Sequence, residues 1–99
     1  MSSQSLLFQP LELGAVRLKN RIVISPMCQY SGHDGHSTDW HAVHLGKLAQ
    51  GGAAVVFLEA CAVEARGRIT HGDLGIWDDA HILGLRRLAD LIRSHGAIP

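Results

Sequence analysis

The stretch Lys19-Asn20-Arg21-Ile22-Val23-Ile24-Ser25-Pro26-Met27-Cys28-Gln29-Tyr30-Ser31 decides the fold. Its first half, Arg21-Ile22-Val23-Ile24, is β-branched and without polar alternation. Such a run suits a strand covered on both faces, as strands of a parallel sheet are. Pro26 stops the ladder. Proline donates no N–H and biases Ser25, the residue before it, towards extended geometry, so the backbone leaves the sheet after Ile24. Ser25, Met27, Cys28 and Tyr30 are thereby presented at the C-terminal end of a strand, where parallel α/β folds bind their ligands. Residues 20–27 are expected to form this first parallel strand.

On the N-terminal side, Leu11 and Leu13 alternate before Gly14, and Val16 and Leu18 alternate after it. That is the period of a short antiparallel hairpin turning at Gly14-Ala15. On the C-terminal side, the loop Ser31–Ser37 is rich in Gly, Ser, His and Asp, a composition that marks a mobile connection. Thr38 suits the N-cap of a helix from Asp39 to about Gln50, with His41, Leu45, Leu48 and Ala49 on one face and Gly51-Gly52 as its stop. Ala53-Ala54-Val55-Val56-Phe57-Leu58 is a second uninterrupted apolar run, too short for a helix, and reads as the second parallel strand. Glu59, Ala60 and Cys61 then share a rim with Ser25 to Cys28, because parallel strands point the same way. GRITHGDLGIW (Gly67–Trp77) reads as an irregular excursion with Trp77 as its packing anchor. Asp78 is expected to cap a second helix whose sheet-facing stripe is Ile82, Leu85, Ala89 and Ile92, and which Gly96 ends. Ala97-Ile98-Pro99 leads towards a third strand. Two β-then-α units in succession place the chain in the α/β class.

Nine basic and nine acidic residues balance to a net charge of zero. This leaves no electrostatic footprint for nucleic acid and no polybasic patch for a membrane. The early apolar run Leu6-Leu7-Phe8 follows no positive charge, so neither a secretory signal nor a membrane span is expected, and the cytoplasm is the expected location. Cys28 and Cys61 are isolated cysteines that form neither a zinc knuckle nor a C-x-x-C motif. His41 and His44, at i and i+3, could present two metal ligands, but zinc takes three or four and no third stands at matching spacing. No metal is expected. Glu59, at a buried strand end, calls for a partner or a raised pKa, and its expected role is structural or in support of the site residues from behind. Met27 offers a polarizable thioether on which a flat ring could rest. Arg66 and Arg68 each present a planar fork suited to an anion.

Four segments carry a resemblance that no one of them could carry alone. LFQPLELGAVRLKNRIVISPMCQYS, TDWHAVHLGKLAQGG, VVFLEACAV and GRITHGDLGIWDDAHILGLRRLADLIRSHGAIP resemble, in order and spacing, the Old Yellow Enzyme family of FMN-dependent ene-reductases, the NADH:flavin oxidoreductases or NADPH dehydrogenases. Met27-Cys28 and Tyr30 look like the bacterial branch with a cysteine beside the flavin. The resemblance implies the N-terminal part of a (β/α)8 TIM-type barrel, with residues 1–19 as a capping hairpin whose leucines, Leu11, Leu13 and Leu18, are structural plugs, and residues 20–99 as the first two βα units. A complete barrel takes about 250 residues, so the chain looks like about a quarter of an enzyme.

The resemblance also implies FMN as cofactor, NAD(P)H as reductant, and ping-pong hydride transfer through the flavin to a small activated alkene, in an enzyme expected to be a homo-oligomer. Carried over residue by residue, Ser25, Pro26, Met27, Cys28 and Ala60 are expected to bind the cofactor. Tyr30 and Ile69 are expected to line the substrate pocket. No residue of this chain matches a catalytic group in its own right; Cys28 is expected to tune the flavin's redox properties. The family's carbonyl ligands, proton donor and phosphate-binding arginines match positions beyond Pro99, which makes Arg66 and Arg68 loop or interface residues. Three other readings stay open: an inactive truncated fragment, a different FMN barrel oxidoreductase, and a self-contained α/β binding module.

Overall fold

The alternating apolar residues on either side of Gly14 fold back on one another as the antiparallel pair β1 (Leu11–Leu13) and β2 (Val16–Leu18), with Leu11 opposite Leu18 and Leu13 opposite Val16. The computed structural model describes residues 5–99, so the first four residues of the expected capping segment 1–19 lie outside the described residues. Of the three leucines expected as plugs, Leu18 is buried, Leu11 is half-buried and Leu13 is exposed, as is Val16 beside them.

β3 (Val23–Ile24) pairs in parallel with β4 (Val55–Val56), Val23 facing Val55 and Ile24 facing Val56. The carbonyls of Ile22 and Ile24 accept from Ala54 N–H at 3.0 Å and Phe57 N–H at 3.1 Å. This alternation falls next on Pro26, which has no N–H to give, and the ladder ends there. The strand is therefore shorter than residues 20–27. Nor is it covered on both faces: Ile22 and Ile24 pack against the core, whereas Val23 is 47% exposed. Among the described residues, the helices cover only one face of this sheet. Asn20, itself buried, ties the two strands at their base: its Oδ1 accepts from Ile22 N–H at 3.0 Å and Ala54 N–H at 3.1 Å, and its Nδ2 donates to the Gly52 carbonyl at 2.8 Å.

Helix α1 (Asp39–Gln50) begins at Thr38 as expected. Its cap is closed by a histidine in the place a capping box gives to Glu or Gln, the Thr38 N–H donating to His41 Nδ1 at 3.0 Å. Gly51 ends it, and Gly52 turns the chain with φ +101°, a conformation that favours glycine. His41, Leu45 and Ala49 are buried on one face. After β4, Ile98 pairs in parallel with Val55, donating to the Ala54 carbonyl at 2.8 Å and accepting from Val56 N–H at 2.9 Å. The third parallel strand thus starts within the chain, on the side of β4 away from β3. The core lies between this sheet and the two helices, built on Leu45, Ala49, Val56, Leu88, Ile92 and Ala97.

Helix α2 (Ile82–Ser94) departs from expectation at its start. The Asp78 side chain accepts from Ala80 N–H at 2.8 Å and caps a 3-10 turn, Asp79–His81, that precedes the helix. A 3-10 turn advances the chain with three residues per turn instead of 3.6 and so rotates the face that the helix presents. Leu88 and Ile92 are the buried pair, Leu85 and Ala89 are half-buried, and Ile82 is exposed. Gly96, with φ +84°, comes after the helix end as expected.

The excursion is not irregular throughout. β5 (Cys61–Ala62) pairs in parallel with β6 (Leu74–Gly75), which stands inside GRITHGDLGIW. The loop Ser31–Ser37, expected to be mobile, is tied down. His33 and His36 exchange backbone hydrogen bonds at 3.0 and 2.8 Å, Gly32 N–H donates to Gly72 O at 2.8 Å, and Gly35 O accepts from Gly75 N–H at 2.9 Å. Composition predicts looseness only where the backbone finds no partner, and here β6 supplies one.

Candidate functional site

Past Pro26 the chain forms a shelf at the C-terminal end of β3. Ser25, Pro26 and Met27 are exposed and Cys28 is half-buried. Met27, at 45% exposure, offers its thioether on this surface. Ala60, also exposed, stands past the matching end of β4, and its methyl group lets a ring come close to the main chain. The five residues expected to hold a cofactor therefore share the exits of two adjacent parallel strands. A proline, a small side chain and a polarizable thioether at these exits suit the approach of a flat isoalloxazine.

Tyr30 and Ile69 belong to two segments that are docked together. Gly72 lies against the main chain of Tyr30 so closely that a Cβ there would run into the Tyr30 carbonyl. Tyr30 itself has φ +55°, a left-handed conformation rare outside glycine, and its side chain is exposed. Ile69 is exposed at 73%, and its N–H donates at 2.6 Å to Asp73, whose other carboxyl oxygen accepts from the Thr70 hydroxyl at 3.0 Å. Buried Asp73 thus shapes the turn that carries Ile69, a role not read from the sequence, although a D four residues after an exposed apolar residue in a Gly-rich segment is a turn signal.

Beneath the shelf lies a group of buried polar side chains. Glu59 Oε1 is 3.2 Å from His41 Nε2, in contact but out of line for a straight hydrogen bond, and Glu59 Oε2 accepts from Gln29 N–H at 3.5 Å. Burial pushes the Glu59 carboxyl above the usual carboxylate range, with the Asp73 charge adding to it against the Gln29 hydrogen bond. Burial pulls His41 down against the backbone hydrogen bond with Thr38, with His44 adding to the fall. Both directions favour an uncharged pair. The Cys61 thiol donates to the Glu59 carbonyl at 3.4 Å and is pushed up chiefly by burial, with the nearby acidic groups adding to it. Glu59, expected to need a partner or a raised pKa, has both; that the partner is His41, in the first turn of the preceding helix, was not legible.

The remaining candidates are placed elsewhere. Arg66 pairs with Glu64 at 2.7 Å, and Arg68 donates to the Ala65 carbonyl at 2.8 Å with its guanidinium 5.4 Å from the centre of the Trp77 ring. Trp77 also meets the buried His81 ring edge-on at 4.6 Å, which makes it the expected anchor. A hollow of about 370 Å³ is lined by Ala65, Arg66, Arg68, Ile69, Thr70 and His71 and shares only Ile69 with the candidate site. Among the described residues, no three His, Cys, Asp or Glu side chains converge as a metal site.

The family model for NADH:flavin oxidoreductases and NADH oxidases matches residues 6–98. The chain belongs to the NADH:flavin oxidoreductase / NADH oxidase family. Within this Old Yellow Enzyme group it is 48% identical over 96 residues to an NADPH dehydrogenase of Geobacillus sp. (strain WCH70), covering 95% of this chain and 28% of that one. Among solved structures, 2-naphthoyl-CoA reductase in complex with 2-naphthoyl-CoA superposes with a TM-score of 0.89 at 26% identity, over 93% of this chain and 14% of that one. Morphinone reductase superposes with a TM-score of 0.81 at 26% identity, over 97% of this chain and 26% of that one. The chain thus spans about a quarter of the length of the curated relative it matches, and its fold is the N-terminal portion of an NADH:flavin oxidoreductase TIM barrel. The cofactor of this family is FMN, and its reductant is NAD(P)H.

Proposed function

We propose that this chain supplies the first part of an FMN-dependent NAD(P)H oxidoreductase that reduces activated alkenes in a ping-pong cycle. In this reading residues 1–19 form a capping hairpin and residues 20–99 the first two βα units of one FMN-binding barrel. Bound FMN would accept hydride from NAD(P)H and deliver it to the β-carbon of an alkene conjugated to a carbonyl. The observation that carries the reading is the shelf after Pro26, exposed at the strand exit beside that of Ala60.

Ser25, Pro26, Met27 and Ala60 would seat the flat ring and keep water from its covered face. Cys28 would tune it through one weak hydrogen bond, worth about 0.5–1.5 kcal/mol, which adjusts a potential without creating reactivity. Tyr30 would turn its hydroxyl to the carbonyl of the substrate and hold the alkene in place, while Ile69 would limit the size of the pocket. A small neutral alkene needs no charged cleft, in keeping with the zero net charge. No described helix is long and apolar enough to cross a membrane; a cytoplasmic homo-oligomer is the proposed setting. Titrating the whole-barrel protein with FMN, then following NAD(P)H oxidation with and without cyclohexenone, tests the proposal. Expected are stoichiometric FMN uptake and enone-dependent turnover; a protein that takes up no FMN, or FMN that NAD(P)H does not reduce, would refute it.

A further inference from the structure

The contact between His41 and Glu59 crosses the molecule at a point the proposed chemistry leaves unused. Both side chains are withdrawn from solvent, at 1% and 4% exposure, with His41 Nε2 3.2 Å from Glu59 Oε1. Because His41 Nδ1 accepts the Thr38 N–H at 3.0 Å, the proton of the neutral ring sits on Nε2, the nitrogen turned to the carboxyl group. Glu59 Oε2 accepts from the N–H of Gln29 at 3.5 Å. These contacts run from the cap of α1, through the end of β4, into the loop that leaves β3. They close on the residue between Cys28 and Tyr30. An apolar pair of the same volume would serve packing as well; a polar pair in contact adds an electrostatic attraction that holds the two side chains together. The left-handed backbone of Tyr30, φ +55°, is a conformation that persists only where its surroundings hold it.

We propose that Glu59 and His41 are positioning residues: acting through Gln29, they set the backbone on which Cys28 meets the flavin and from which Tyr30 reaches the substrate. This rests on the shelf being the flavin seat. The test uses the FMN-loaded whole-barrel protein with Glu59→Gln, which keeps the shape but sets one acceptor oxygen against two donors. Amide hydrogen exchange at Gln29 and Tyr30 is expected to speed up about two- to twelvefold, the range of one neutral hydrogen bond, with exchange at Val56 and Leu88 unchanged. The potential of bound FMN is expected to shift and KM for an enone to rise. In otherwise wild-type protein, His41→Gln, whose amide keeps a polar N–H facing Glu59, is expected to leave exchange and KM close to wild type, whereas His41→Leu is expected to raise both. Unchanged exchange, potential and KM in Glu59→Gln would overturn the proposal, as would exchange accelerated equally throughout the core. Failure of the shelf reading appears separately, as wild-type protein that binds no FMN, and would overturn both.

Discussion

Cys28→Ala removes one thiol from the shelf and leaves the backbone route through Pro26 and Gln29 in place. A lost neutral hydrogen bond of about 0.5–1.5 kcal/mol corresponds to about 10–30 mV for a two-electron couple. The bound FMN of the whole-barrel protein is expected to shift by that much with turnover retained, as a spectroelectrochemical titration would record. FMN that binds but cannot be reduced would give Cys28 a direct chemical role instead. Tyr30→Phe is expected to lower kcat/KM for carbonyl-bearing alkenes about two- to twelvefold while FMN affinity stays the same; loss of FMN with unchanged kinetics would move Tyr30 to the cofactor. Glu59 and His41 make a third, pH-dependent prediction. Burial raises Glu59 above its usual 4.5, so its contribution to stability is complete below 4.5 and lost as pH rises through the raised value. Burial lowers His41 below its usual 6.5, so its contribution is complete above 6.5 and lost as pH falls through the lowered value. The two slopes oppose one another between those limits. Glu59→Gln removes the first, and the Tm of that variant is expected to drop more steeply than wild type between pH 6.5 and 4.5. Parallel Tm curves would show that Glu59 carries no such shift.

Asn20 binds together elements that no local pattern joins. Its side chain meets Ile22, Gly52 and Ala54, so one residue holds the start of β3 against the turn that opens β4. Asn20→Ala takes the side-chain partner from the Ile22 N–H and the Gly52 carbonyl, while the Ala54 N–H keeps the Ile22 carbonyl, and each buried group left unpaired costs about 1–3 kcal/mol. A destabilisation of at least about 2 kcal/mol is expected in denaturant melts of the whole-barrel protein. Asn20→Asp, which keeps both acceptor contacts, is expected to lose less. The limits of α1 were legible because its cap and stop are local chemistry, Thr38 at one end and Gly51-Gly52 at the other. The phase of α2 was not, because the 3-10 turn at Asp79–His81 shifts the helix relative to its apolar period. β5 and β6, two residues each, are too short to carry a period at all.

At the scale of the molecule, the described residues extend over 55 × 26 × 21 Å with a radius of gyration of 15.2 Å, where a compact domain of this length has about 13 Å. Val23 and Phe57, at 47% and 50% exposure, belong to the sheet and its exit yet meet solvent. In a closed barrel the second face of such a sheet is filled by side chains from the other strands. A polypeptide limited to these 99 residues is therefore expected to aggregate or to lack a cooperative melt. A sharp thermal transition of a monomer, with protected amides at Val55 and Val56, would refute that expectation.

By itself, the order of residues determined where β3 ends, where α1 starts and stops, and that the exits of two parallel strands meet at one rim. Each stems from rules acting over a few positions: a proline without an N–H, a capping side chain, glycines at a helix end, and strand direction in a βαβ unit. Four motifs in register were enough to indicate the family. Only the tertiary structure decided that Glu59 meets His41 and Gln29, that Gly72 packs against Tyr30, and that a loop rich in glycine is held by β6. These contacts join residues far apart in the chain. Their geometry depends on how the loop after β3 and the excursion dock on one another, and no rule confined to neighbouring residues contains that information.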